Sequence, residues 1–121
     1  MSMPKPVEND SDKPIDINFV GQSPHVFAYR IWYRLPGEDS WTIIGDGDTQ
    51  DDVPDYHGTG PHIDGTQIAI MVAIGGKKNS MYRYLITFSQ DGAIAQGGAI
   101  QERGRTSADG GAVRTTKVVL V

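Results

Sequence analysis

The chain has 121 residues, 38% of them hydrophobic, and a formal net charge of −4. This length fits one domain, and two Trp, five Tyr and three Phe are enough aromatic side chains for one core. The acidic balance disfavours nucleic acid as a partner, and the absence of cysteine excludes a disulfide framework and thiolate chemistry.

The charge is distributed unevenly along the chain. Residues 1–60 hold eleven acidic and four basic side chains, a balance of −7, whereas residues 61–121 hold four acidic and seven basic, a balance of +3. Such opposite charges can attract each other within the fold or between subunits. The sequence has neither the apolar core of a signal peptide nor the roughly 20 apolar residues of a membrane span. We therefore expect a soluble protein without a membrane partner, cytoplasmic by default.

The first elements in chain order are a tail and a strand. Residues 1–13 mix proline, serine, asparagine and charges without a hydrophobic period, which predicts a flexible N-terminal tail. Residues 14–121 are predicted to form a single domain, in which apolar side chains alternate with the period of two that is typical of β-strands. The first strand begins at Ile15 and turns Ile17 and Phe19 inward.

The remaining strands follow the same period. HVFAYRIWYRL is predicted as the longest strand, and PGED turns the chain into its hairpin partner, SWTIIG. After a predicted long loop over residues 46–65, TQIAIMVAI and MYRYLITFS give two core strands, and AIAQGGAIQE and AVRTTKVVLV give the last two. About seven strands without a secure helix predict an all-β fold, an antiparallel two-sheet sandwich.

Two segments resemble a known family. IDINFVGQSPHVFAYRIWYRLPGEDSWTII resembles the second and third strands of a fibronectin type III domain, and YRYLITFSQDG resembles a later strand of that family. The inner Trp that the family usually carries on its second strand is Phe19 here. The resemblance implies an immunoglobulin-like or fibronectin III-like sandwich with a binding or spacing role, and it carries over no functional residue.

The longest predicted strand has two different faces. If its aromatic face is core, then Arg30, Trp32 and Arg34 lie together on the opposite face. An indole between two guanidinium groups can stack on a sugar ring, or the arginine stems can simply cover it. The outward Ala69, Met71 and Ala73 of a neighbouring strand are small and apolar, which indicates cover by another subunit or by the C-terminal strand.

Two loop segments contain residue types that bind metals. GDGDTQDDVPD places Asp46, Asp48, Asp51 and Asp52 on one loop, and their oxygens are ligands that Ca²⁺ prefers, although the spacing is not that of an EF-hand. The alternative is a solvated acidic loop. As a weaker option, DYHGTGPHID brings His57, His62 and Asp64 close in sequence, a pattern seen in two-His-one-carboxylate sites; surface histidines are the alternative.

These patterns give three hypotheses for function. The leading one is a non-enzymatic binding or assembly module that acts by protein–protein interaction or homo-oligomerisation, through a sheet face or the glycine-rich edge of residues 95–111. The alternative is a small carbohydrate-binding protein, lectin-like, that uses Trp32 and its two arginines, with an optional Ca²⁺ site. The third is a small divalent-metal enzyme. Apart from that optional Ca²⁺, no cofactor is expected.

Overall fold

In a computed structural model, residues 3–48 and 56–121 of the chain are described. These residues form nine strands and no helix. Among them no helix is long and apolar enough to cross a membrane. The strands are β1 (Lys5–Val7), β2 (Ile15–Gly21), β3 (Val26–Arg34), β4 (Thr42–Asp48), β5 (Tyr56–Gly60), β6 (Gln67–Gly75), β7 (Met81–Gln90), β8 (Ala93–Arg105) and β9 (Gly111–Leu120).

The strands form two sheets. Sheet A has the order β1-β9-β6-β3-β4, and sheet B has the order β5-β2-β7-β8. Every described pairing is antiparallel except that of β1, which runs parallel to β9. The predicted all-β architecture with two sheets is therefore confirmed. The predicted count of about seven strands and the purely antiparallel pairing are wrong, because the described residues form nine strands and sheet A is mixed.

The core lies between the sheets and follows the predicted alternation. Ile15, Ile17 and Phe19 of β2 are each fully buried, as the sequence predicts for the first strand. Phe19 contacts three other rings, Phe27, Tyr29 and Tyr84, at centroid separations of 5.1–5.8 Å. These edge-to-face and tilted contacts join the two sheets, since Phe19 and Tyr84 come from sheet B and the other two from sheet A.

Two strands lie where the sequence analysis predicts none. β5 falls inside the predicted loop of residues 46–65 and pairs with β2 from Ile15 to Phe19, although it contains two glycines. β1 falls inside the predicted tail, where Val7 is fully buried and the backbone pairs with β9. Tertiary pairing outweighs weak local propensity in both segments.

β1 also reaches across to sheet B. The Glu8 N–H donates to the Gln96 carbonyl of β8 at 2.9 Å. Gly97 has a φ of +78° and lies so close that an added Cβ would meet the Pro6 carbonyl oxygen at 2.5 Å. Only glycine fits this approach without strain. β1 and Glu8 therefore cover part of the glycine-rich edge that is predicted from the sequence to be open to strand addition.

Ion pairs around Glu102 link β8 of sheet B to β1 and β9 of sheet A. Glu102 of β8 lies 2.6 Å from Arg114 Nη2 and 3.3 Å from Lys5 Nζ, with its side chain only 11% exposed. Tyr84 is buried beside this group, and burial, followed by the Glu102 charge, raises the pKa of its phenol to about 12. The two sheets are therefore joined here by ion pairs instead of apolar packing.

Candidate functional site

The outer face of sheet A brings the predicted ligand-binding residues together. On β3, Phe27, Tyr29 and Ile31 are buried in the core. Their alternation sends Arg30, Trp32 and Arg34 to the outer face, as predicted. Trp32 is half-buried, so its indole keeps part of its surface accessible to a partner.

Trp32 lies in a row of four side chains that crosses the sheet. The row runs Lys117, Ala69, Trp32, Ile43 from β9 to β4. Ile43 faces outward and is 54% exposed because the pairing of β3 with β4 shifts between Ile31 and Trp32. The extra residue, Ile44, packs against the core. The bulge therefore keeps one isoleucine in the core and places its neighbour beside the indole.

The next row contains an ion pair beside a groove. Arg30 Nη2 lies 3.7 Å from Asp46 Oδ2, and the same guanidinium lies over the Trp32 ring, 5.9 Å from its centroid. Both charged side chains are about half exposed, so the pair contributes little to stability. They border a shallow groove of about 380 Å³ whose floor contains Ala28, Met71 and Ala73. This arrangement offers an apolar surface with a positive and a negative group at its side.

A second tryptophan, Trp41, completes the face, and the sequence analysis did not assign it to a site. Its ring lies between two cations: Arg34 Cζ is 5.0 Å and Lys117 Nζ is 5.7 Å from the ring centroid. Ala69, in the row that contains Lys117, is only 6% exposed although its position in β6 points outward. We therefore assign the cover over Ala69 to Trp41. The strand period could not reveal this, because Trp41 precedes β4 and reaches over the sheet from the turn.

The centre of this face is more apolar than the centre of the other sheet. The outward positions of β6 are Ala69, Met71 and Ala73, and the flanking row ends at Val113, which is 67% exposed. The outward positions of β2 and β7, the central strands of sheet B, are mainly polar, with Val20, Met81 and Leu85 as apolar exceptions. The polar ones are Asp16, Asn18, Arg83, Thr87 and Ser89. An apolar centre with charges around it distinguishes sheet A.

The predicted Ca²⁺ ligands are only partly described. Asp46 lies on β4 and forms an ion pair with Arg30. Asp48 is the last residue of that strand and its backbone lies opposite Ala28, but its side chain is not among those that the structure describes. Asp51 and Asp52 lie outside the described residues. In the described part of the chain, no group of three or more His, Cys, Asp or Glu side chains is placed to hold a metal ion.

The weaker metal hypothesis concerns His57, His62 and Asp64, of which His57 is on β5 and the other two lie between β5 and β6. His57 belongs to β5, where its backbone pairs with Asn18, and its side chain is outside the description. The Asn9 amide donates to the His62 carbonyl at 2.8 Å and to Asp64 Oδ1 at 2.7 Å. The described contacts of this segment thus hold the N-terminal segment in place.

A histidine that the sequence analysis left unassigned lies between two serines. Arg83 N–H donates to Ser23 Oγ, and the Ser80 hydroxyl donates to the Lys77 carbonyl. His25 Nε2–H therefore donates to Ser80 Oγ at 2.7 Å, and in a neutral imidazole Nδ1 then accepts from the Ser23 hydroxyl at 2.8 Å. Because the Ser80 proton is directed to a carbonyl, this chain of hydrogen bonds fixes two turns and does not activate a nucleophile.

Comparisons with protein-family models, curated proteins and solved structures give no match for this chain. The resemblance to fibronectin type III domains therefore stays a prediction.

Proposed function

We propose that the chain is a non-enzymatic assembly module that binds a second copy of itself through the outer face of sheet A. The observation that carries this proposal is the unequal polarity of the two sheets. Protein interfaces are enriched in Trp, Met and Arg around an apolar centre. Trp32, Met71 and Arg30 occupy neighbouring positions on this face, with Ala69 and Ala73 on either side of Met71 along β6.

The size of the face suits a stable pair. Four strands about 4.8 Å apart and nine residues long cover about 20 Å by 30 Å, or about 600 Å² of flat area. Protruding side chains such as Ile43 and Val113 add to this value. A standard interface buries about 800 Å² of accessible surface on each partner. The face therefore has nearly the area that self-association needs.

The order of charges supports a second copy as the occupant. Asp46 and Asp48 occupy adjacent rows on β4. Lys117 lies one row further, in the row of Trp32 but two strands away from it, and Arg34 follows at the end of β3. A two-fold axis across the strands reverses their direction and keeps each strand over its own copy, so it lays the Asp48 row of one face over the Arg34 row of the other. Such complementarity guides association and fixes its geometry.

Sedimentation equilibrium over a concentration series tests the proposal. The wild-type mass should rise from monomer toward dimer with concentration. Ile43→Lys adds a charge beside Trp32, on the β4 side of the face, and should raise the dissociation constant by about tenfold or more. Ile94→Lys is the matched control, since Ile94 is 58% exposed, against 54% for Ile43, but lies on β8 of the other sheet.

A wild-type protein that stays monomeric at every concentration contradicts self-association. Equal weakening of the dimer by the two lysine variants contradicts the assignment to sheet A. A dimer that Ile94→Lys alone disrupts would place the interface on sheet B instead.

A second candidate function is carbohydrate binding in the groove beside Trp32. It is favoured by the ion pair between Arg30 and Asp46, which presents donors and acceptors next to an accessible indole and an apolar floor. Sugar rings stack on indoles, and their hydroxyls need both kinds of hydrogen-bonding group. Binding to a glycan array that Trp32→Ala abolishes and Ile94→Lys leaves intact supports this function. A blank array, with Ca²⁺ and with chelator, contradicts it for the glycans tested.

A further inference from the structure

Two arginines lie directly opposite each other on the outer face of sheet B. In the antiparallel pairing of β7 with β8, Arg83 is the register partner of Arg103, and both side chains are exposed. Cβ atoms of directly opposite residues are about 4.5–5.5 Å apart, and like charges in this position destabilise a sheet. The pair therefore has an energetic cost in the absence of a counterion.

The protein supplies no counterion for this pair within residues 3–48 and 56–121. The described ion pairs use Lys5, Lys13, Arg30 and Arg114, and none of them includes Arg83 or Arg103. The nearest carboxylate along β8, that of Glu102, faces the interior and is engaged by Arg114 and Lys5. The two guanidinium groups keep their hydrogen-bond donors available to a ligand.

More cations surround the pair. Arg105 follows on the same face of β8, and its guanidinium donates to the Asn79 carbonyl at 2.9 Å. Lys77 and Lys78 are exposed in that same turn between β6 and β7. One exposed carboxylate, Asp109, lies in the turn that follows β8. The local excess of positive charge attracts anions to this end of sheet B.

A small cavity lies between the arginine pair and the turn after β2. Its volume is about 280 Å³, and Arg83 and Arg103 line it together with Met81, Tyr82 and Pro24. The turn is held against β7 by a hydrogen bond from the Arg83 N–H to Ser23 Oγ, so this wall of the cavity is fixed. The cavity thus has two cations on one side and apolar surface on the other.

We propose that Arg83 and Arg103 bind a phosphate or sulfate group carried as an ester. A tetrahedral oxyanion offers enough oxygens to accept paired hydrogen bonds from both guanidinium groups, and such charge-assisted bonds are the strong ones. The organic part of the ester lies against Met81 and Pro24. Binding relieves the repulsion between the arginines, which makes an anion at this position more favourable than at a single exposed arginine.

An NMR titration that follows the Arg83 and Arg103 Nε–H signals tests the proposal. The probes are inorganic phosphate, inorganic sulfate and phenyl phosphate, each at constant ionic strength adjusted with chloride. If inorganic phosphate or sulfate binds as tightly as phenyl phosphate, the site recognises the free ion, and the proposed ester site is contradicted. Tighter binding of phenyl phosphate identifies an ester site, as proposed.

Arg103→Gln should raise the dissociation constant for phenyl phosphate by about tenfold. Arg83→Gln should do the same. Lys13→Gln, which removes the same charge at the opposite end of sheet B, should leave the constant unchanged. Without ligand and at low salt, Arg103→Gln should also melt at a higher temperature than wild type, because it removes the like-charge contact.

Three further results overturn the proposal. The first is a chloride titration that shifts the same signals as strongly as phosphate does. The second is an equal loss of binding in Lys13→Gln and Arg103→Gln, which indicates only diffuse attraction. The third is a lower melting temperature for ligand-free Arg103→Gln, which means that the pair is already neutralised within the protein. The arginines would then serve only to protect the exposed edge of β8 from strand addition.

Discussion

Adding one methyl group at Gly97 should separate the β1 strand from β8. Gly97→Ala forces a side chain into a position with φ +78°, at a cost of about 1–2 kcal/mol. The new Cβ would also meet the Pro6 carbonyl at 2.5 Å, and such overpacking adds about 1–3 kcal/mol. Gly92→Ala is the matched control, since Gly92 has φ +79° and nothing within 4 Å of an added Cβ.

The difference between these two variants isolates the contact with β1. An unfolding entropy of about 2.1 cal/mol/K per residue gives about 0.25 kcal/mol/K for this chain, so the extra cost lowers the melting temperature of Gly97→Ala by about 4–12 °C relative to Gly92→Ala. Differential scanning calorimetry measures both values. Equal melting temperatures for the two variants would refute the placement of β1 against β8, because the strain at φ is the same in both.

Three further changes test other parts of the structure. Glu102→Gln should lower the unfolding free energy by about 1–3 kcal/mol in urea titrations, whereas Asp109→Asn, in an exposed turn, should change it by less than about 0.5 kcal/mol. The folded-state pKa of Tyr84 is about 12, above the ordinary value of 10.0. The protonated phenol therefore makes its full contribution to the free energy of unfolding below pH 10, and this free energy falls by about 1.4 kcal/mol per pH unit between pH 10 and 12. Tyr84→Phe should remove this decline, and an unchanged slope would contradict burial of the phenol. Trp41→Ala should lower the midpoint of urea unfolding by an amount that corresponds to about 1–3 kcal/mol, because it uncovers Ala69 and removes two cation–π contacts.

The sequence predicts the strands that bury a whole face. β2, β3, β6 and β7 alternate apolar with other residues over at least seven positions, and each of them contributes to the core. That period also places Arg30, Trp32 and Arg34 on one outer face. A period of two fixes the face of each side chain once a strand is recognised.

The strands that the sequence misses lack this signal. β1 has three residues, and only Val7 is buried, so its position depends on pairing with the distant β9. β5 reads YHGTG, whose glycines are unfavourable in strands. Trp41 and Arg83 could not be assigned to sites for a related reason: their neighbours, Lys117 and Arg103, come from strands far away in the sequence, and no local pattern encodes a register between distant strands.

The most direct test of self-association through sheet A is a dilution series followed by backbone amide NMR. Dilution should shift signals of residues in the outer rows of sheet A, among them Trp32, Ile43 and Met71, and leave those on the outer face of β2 and β7 unchanged. Spectra that do not change with concentration, or changes confined to sheet B, would contradict the assignment of the outer face of sheet A as the binding surface between two copies of the chain.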